Sequence, residues 1–188
     1  MKIPAFKNLS DKQIWMYQNQ DTLAVDKMSQ LKHCDALAGF AEVVEMRDTE
    51  TIKADGSGSD PDTLTVKAVI NTTNFMDSHD DVHIKGIWNK SIKENRNILH
   101  LQEHKMAFDK IIAKGNDVQV KVVDTTFEEL GVKGISGETQ ALEFTSKVRR
   151  SKNPYMFGLY KNNDVDNHSV GMRYVKIKLA INNEEAEE

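Results

Sequence analysis

Cysteine is nearly missing: Cys34 is the only one in 188 residues. No internal disulfide can form, so a reducing compartment is the expected setting and Cys34 is expected to be a buried or idle thiol. An excess of basic charge is also missing. Lys and Arg total 25 against 29 Asp and Glu, a net charge of −4, which argues against a dedicated nucleic-acid binder. No apolar run approaches the roughly 18 residues that a membrane span needs. The amino end, MKIPAFKNLSDK, lacks the apolar stretch of a secretory signal. Internal repeats are absent. These absences lead us to expect a soluble intracellular chain with one medium domain and a small appendage, long enough to bury a core.

The pattern that remains is dominated by strands. Residues 10 to 38 read as helical, with Ser10 as the cap and Ile14, Tyr17, Leu23, Met28 and Leu31 at loosely helical intervals. The stripe is weak, which suits an N-terminal extension or partner-binding arm over residues 1–39. KADGSGSDPD, residues 53 to 62, reads as a turn or loop. It separates FAEVVEMRD from TLTVKAVINTT, where Leu64, Val66, Ala68 and Ile70 alternate as on a half-buried strand, so the two are expected to pair as a hairpin. GIWNKSIKEN follows as a short helix with Trp88 and Ile92 one turn apart. DVQVKVVDTTF and ALEFTSKV read as strands, and NPYMFGLYKNN as a helix with Pro154 in its first turn. SVGMRYVKIKLAI reads as a last strand with Ser169, Gly171, Arg173, Val175, Ile177, Leu179 and Ile181 on one face. The expected class is α+β, mainly β: a barrel or sandwich with helical decoration.

Four of the six histidines lie between positions 79 and 104. HLQEH, His100 to His104, matches the H-x-x-E-H pattern of inverted zinc proteases, in which a helix aims both imidazoles at one metal. The flanks lack that helix, and on a strand the two rings would stand about 13 Å apart at roughly 3.3 Å per residue. HDDVH, His79 to His83, would be a metal clip if helical, but its flanks favour a solvated turn, where Asp77, Asp80 and Asp81 bond to turn backbone or shape a rim. Arg149 and Arg150 are expected to be solvated or to bind substrate. His104 and Ser169 together form the interesting pair, because a serine hydroxyl becomes a useful nucleophile when a neutral imidazole takes its proton. Spacing alone favours a solvated histidine and a hydroxyl at the start of a strand.

The order of features shifts that balance. Asp77 and Asp81 form D-x-x-x-D, followed by GIW at Gly86 to Trp88, Ser91 and Ile92, then ILHLQEHK and finally FGLYKNNDVDNHSVGMRY. Over roughly residues 40 to 181 this resembles the tailed-phage prohead (capsid maturation) serine protease family, related to herpesvirus assemblin. The resemblance implies an assemblin-like β-barrel flanked by short helices, spanning a domain at 40–188. It implies a serine endopeptidase with Ser169 as nucleophile and His104 as base, needing no cofactor or metal. Its partners would be phage scaffold and major capsid protein, and itself, within the prohead in the cytoplasm of a bacterial host. Gly171 is expected near the oxyanion, because glycine allows close approach, and Arg173 toward substrate. Family members continue past the serine strand to an acid that completes the triad, whereas here the sequence runs into INNEEAEE. Glu184, Glu185, Glu187 and Glu188 read as a solvated tail, so a shortened, self-associating and weakly active form is expected. The alternative is a noncatalytic scaffold or assembly protein that retains the protease barrel.

Overall fold

A computed structural model describes residues 3–35, 41–46, 62–77, 79–94, 97–165 and 167–181, with backbone alone for 31–35 and 41–46. The chain divides into two compact units, Met1–His33 with Gly171–Glu188, and Cys34–Val170. The class is α+β with more strand than helix.

Cys34–Val170 is organised by a four-stranded antiparallel sheet in the order β2-β3-β7-β6. The strands are β2 (Ala41–Met46), β3 (Thr63–Thr72), β6 (Val118–Thr126) and β7 (Glu138–Arg149). The β2–β3 pairing is the expected hairpin, with Ala41 opposite Ala68. Leu64, Val66, Ala68 and Ile70 of β3 are all buried on one face, as period-two alternation requires. Along the opposite face Glu143 lies between Lys67 and Lys121 at 3.3 and 2.8 Å. Short strands β4 (Leu99–Leu101) and β5 (Ile111–Lys114) pair separately, as do β1 (Leu31–Asp35) and β8 (Ser169–Arg173). The sheets are not closed on themselves among the described residues.

Two apolar clusters cover the inner face. Helix α4 (Pro154–Lys161) lays Met156, Phe157 and Tyr160 on Leu64, Val66, Val148 and Ile112. Its start is set by Asn153, whose side chain accepts the Met156 N–H at 3.0 Å, and by Pro154 in the first turn. Beyond it, Trp88 packs with Ala68, Ile70, Leu142 and Phe144, and Ile92 of helix α3 (Asn89–Glu94) closes over them. Burying each large side chain contributes roughly 1.5–3 kcal/mol, an upper estimate because unfolded chains already bury some surface.

A polar clamp ties the end of β7 to the start of β6. Arg149 donates to Asp117 through Nε at 3.1 Å and Nη2 at 2.7 Å, and Lys152 adds a bond at 2.8 Å. Arg149 is therefore not simply solvated, and Arg150 packs on the Phe157 ring 4.7 Å away. The bonds from Arg149, joined by Lys152, hold the Asp117 carboxyl well below the usual carboxylate range despite its burial. Asp117→Ala is expected to cost about 1 kcal/mol at neutral pH, the partly exposed cations recovering some solvation. The urea midpoint checks this, and an unchanged midpoint would mean that water fully replaces the clamp.

The N-terminal stretch departs from one long helix. Helix α1 (Leu9–Gln18) is capped by Asn8 rather than Ser10, through the Asp11 N–H at 2.8 Å. Asn19 breaks the run by bonding its side-chain amide to the Trp15 carbonyl at 2.8 Å, and α2 follows at Gln20–Met28. Neither helix has a buried residue, and Ile14 and Tyr17 are 54% and 67% exposed. Leu31, expected on the helix, begins β1. At the other end β8 stops at Arg173 instead of running to Ile181. Strand geometry without a partner leaves backbone groups unpaired, and no strand pairing extends over 174–181 among the described residues. Val175 is 84% exposed, so the single apolar face expected there does not form. Most of the 53–62 loop, the side chain of Cys34 and the glutamates from Glu184 onward lie outside the described residues.

Candidate active site

β4 is short because it ends in a tight turn. Leu101 is extended, and the Lys105 N–H then donates to the Gln102 carbonyl at 3.0 Å. Both central residues are left-handed, Glu103 at φ 52° and His104 at φ 53°. That is the pattern of a mirror-image turn, normally the province of Gly, Asn and Asp. Each side chain held there costs about 1–2 kcal/mol, a strain that the surrounding structure sustains. Glu103 forms an ion pair with Lys105 on the exposed side. Glu103→Asn is accordingly expected to raise stability by about 0.5–1 kcal/mol, read as a higher thermal midpoint. A lower midpoint would show that the ion pair outweighs the backbone strain.

The turn carries His104 to Ser169, the first residue of β8. His104 Nε2 and Ser169 Oγ are 2.6 Å apart, 65 residues apart in sequence. The distance is that of a strong O–H···N hydrogen bond. Ser169 is half-buried, and the next residue, Val170, packs on the Trp88 cluster. Gly171 and Arg173, further along β8, are both exposed.

Beneath this pair lies a polar network that the sequence did not reveal. His100, the one inward-facing residue of β4, is 7% exposed. Its Nδ1 is 2.9 Å from Ser146 Oγ and its Nε2 is 2.9 Å from the Tyr160 hydroxyl. The same hydroxyl is 2.9 Å from His168 Nε2. The His100 ring also stands edge-on to Phe144, with centroids 4.9 Å apart. Burial, with the neighbouring His168 adding to it, pushes the His100 imidazole down to about 3, and burial raises the Tyr160 phenol above its ordinary value. Tyr160 belongs to the apolar stripe of α4, the only signal that could have placed it inside. Nothing in the sequence pattern says that its hydroxyl meets two histidines.

These contacts bear on the other histidine motif and on the metal pattern. In HLQEH the segment is a strand and a turn, not a helix, and both nitrogens of His100 bond within the chain. In HDDVH, His83 is buried rather than solvated: Nδ1 is 2.9 Å from Asn71 Oδ1 and its ring packs edge-on to Trp88. Asp77 holds the turn as expected, accepting the N–H groups of His79 and Asp81 at 2.8 and 3.2 Å. Among the described residues no three His, Cys, Asp or Glu side chains are grouped to hold a metal ion. No helix among the described residues is long and apolar enough to cross a membrane.

No family model matches the chain, and no curated protein or solved structure matches it either.

Proposed function

We propose that the chain is a serine endopeptidase of the prohead-protease kind, processing scaffold and coat proteins, and itself, during phage capsid maturation. The observation that carries the proposal is the 2.6 Å contact between Ser169 Oγ and His104 Nε2. With Nε2 unprotonated, His104 accepts the hydroxyl proton as Oγ attacks a peptide carbonyl carbon. The tetrahedral intermediate collapses as His104 returns the proton to the leaving amine, giving an acyl-enzyme and a free amino terminus. Water then attacks the acyl carbon, its proton passing through His104 back to Ser169, and the carboxylic product leaves.

On this proposal the N–H groups near Gly171 receive the oxyanion and Arg173 contacts substrate, with no cofactor required. The acid that orients His104 is left unassigned. An assemblin-like barrel, the capsid partners, self-association and a location inside the prohead in the bacterial cytoplasm belong to the same proposal. The exposed apolar side chains of α1 and α2, Ile14, Tyr17 and Val25 among them, favour a second possibility, a noncatalytic assembly protein that uses this segment as an arm. A fluorophosphonate probe separates the two. Covalent labelling confined to Ser169, located by peptide mass mapping, is expected of the peptidase; an unlabelled folded chain would favour the assembly protein.

A further inference from the structure

We infer that Tyr160 is a positioning residue for the His104–Ser169 pair, its hydroxyl tying together the two chain segments that carry them. The inference rests on the peptidase proposal above and adds to it a residue that touches neither partner. A hydroxyl has one proton, yet the Tyr160 oxygen lies 2.9 Å from Nε2 of both His100 and His168. It can donate to only one imidazole, so at least one of the two rings presents an N–H to it. His100 lies four residues before His104 on the strand that leads into its turn, and His168 directly precedes Ser169. His100 is also moored to the sheet through Ser146 of β7, and that serine is fully buried. One oxygen thereby joins the base's segment to the nucleophile's, with α4 and the sheet as the fixed frame.

The site needs such an anchor. His104 sits on a turn of two left-handed residues, and β8 leaves Gly171 and Arg173 exposed just after Ser169. The Tyr160 tie acts beside the packing of Val170 on the Trp88 cluster to set the separation of the two reacting atoms. An error of about 1 Å in such a geometry costs on the order of 100-fold in rate. Phenylalanine at 160 would keep the ring in the core and remove only the shared oxygen.

The test uses the full chain and a fluorophosphonate probe. Ser169 Oγ attacks phosphorus, a P–O bond forms, fluoride leaves and the serine proton passes to His104. For Tyr160→Phe the maximal labelling rate, corrected for the folded fraction by circular dichroism, is expected to fall about 10- to 100-fold. The half-saturating probe concentration is expected to stay within about twofold, since probe binding does not involve this hydroxyl. A wild-type maximal rate, or a change confined to the half-saturating concentration, would overturn the inference. Should Tyr160→Phe fail to fold, His168→Gln is measured instead, with the same expectation and the same overturning result. Ser169→Ala distinguishes the two levels. If it still labels, or if wild type does not label, the peptidase proposal fails and the inference with it; if only Tyr160→Phe behaves as wild type, the inference alone fails.

Discussion

Ser169→Ala is expected to abolish self-processing and fluorophosphonate labelling, with a loss on the order of 10⁴-fold or more, and His104→Ala to fall by a similar factor. Members of a nucleophile–base pair act as a unit, so removing either forfeits nearly the whole advantage, and the double variant should be no worse than the singles. The structural cost should be small. Ser169 and His104 are both half-buried, so neither replacement opens a core cavity. His104→Ala also leaves a side chain in a left-handed position, which alanine tolerates no better than histidine. Cleavage of the chain by mass spectrometry, alongside thermal melts, checks both halves. Normal processing by a folded Ser169→Ala protein would remove the nucleophile and with it the proposed activity.

A steep loss of stability in mild acid is expected from His100. Its imidazole is lowered from 6.5 to about 3 in the folded protein by burial, with His168 adding. Between those limits the unfolded chain binds a proton that the folded chain does not. Stability is therefore fully present above about pH 6.5 and falls by about 1.4 kcal/mol per pH unit as the pH drops toward 3. Several kcal/mol is a large share of the ~5–15 kcal/mol typical of a domain. The depressed carboxylates, Asp117 by its bonds to Arg149 and Glu143 by those to Lys121 and Lys67 despite its burial, withdraw their stabilisation only below the ordinary carboxylate range. The interval from pH 6.5 to about 5 thus lies above the carboxylates, and a comparison with a His100 variant separates His100 from the other histidines. Urea unfolding across that interval should show the slope in the wild type and a flatter line in His100→Gln, whatever the variant's absolute stability. Parallel lines would mean that His100 takes up its proton in the folded state as readily as in the unfolded one.

Much of the frame was legible in the residues because it depends on local rules. The alternation of Leu64, Val66, Ala68 and Ile70 marks a strand with one wet face, and it is one. Pro154 in NPYMFGLYKNN marks the first turn of α4, whereas the Asn153 cap and the buried face of Met156, Phe157 and Tyr160 are seen only in the structure. The β2–β3 hairpin follows from two strand-like runs joined by a loop. The same rules misjudged the ends. A weak stripe over 10 to 38 hid the break at Asn19 and the strand at Leu31. The alternation from Val175 to Ile181 read as a strand, yet no strand of the described residues is present to pair with it.

His104 and Ser169 could be picked out as a candidate pair from residue type and motif order, but not brought together. Their 2.6 Å contact spans 65 residues and depends on where the β4–β5 hairpin and the start of β8 settle against the sheet. Tertiary structure alone decided two further things: the left-handed turn at Glu103 and His104, and the Tyr160 hydroxyl shared by His100 and His168. The reason is physical. Periodicity records which face of an element avoids water, a property of neighbours a few residues apart. A strained turn survives only because distant packing supports it, and a hydroxyl chooses its partners by what the fold leaves within about 3 Å of it.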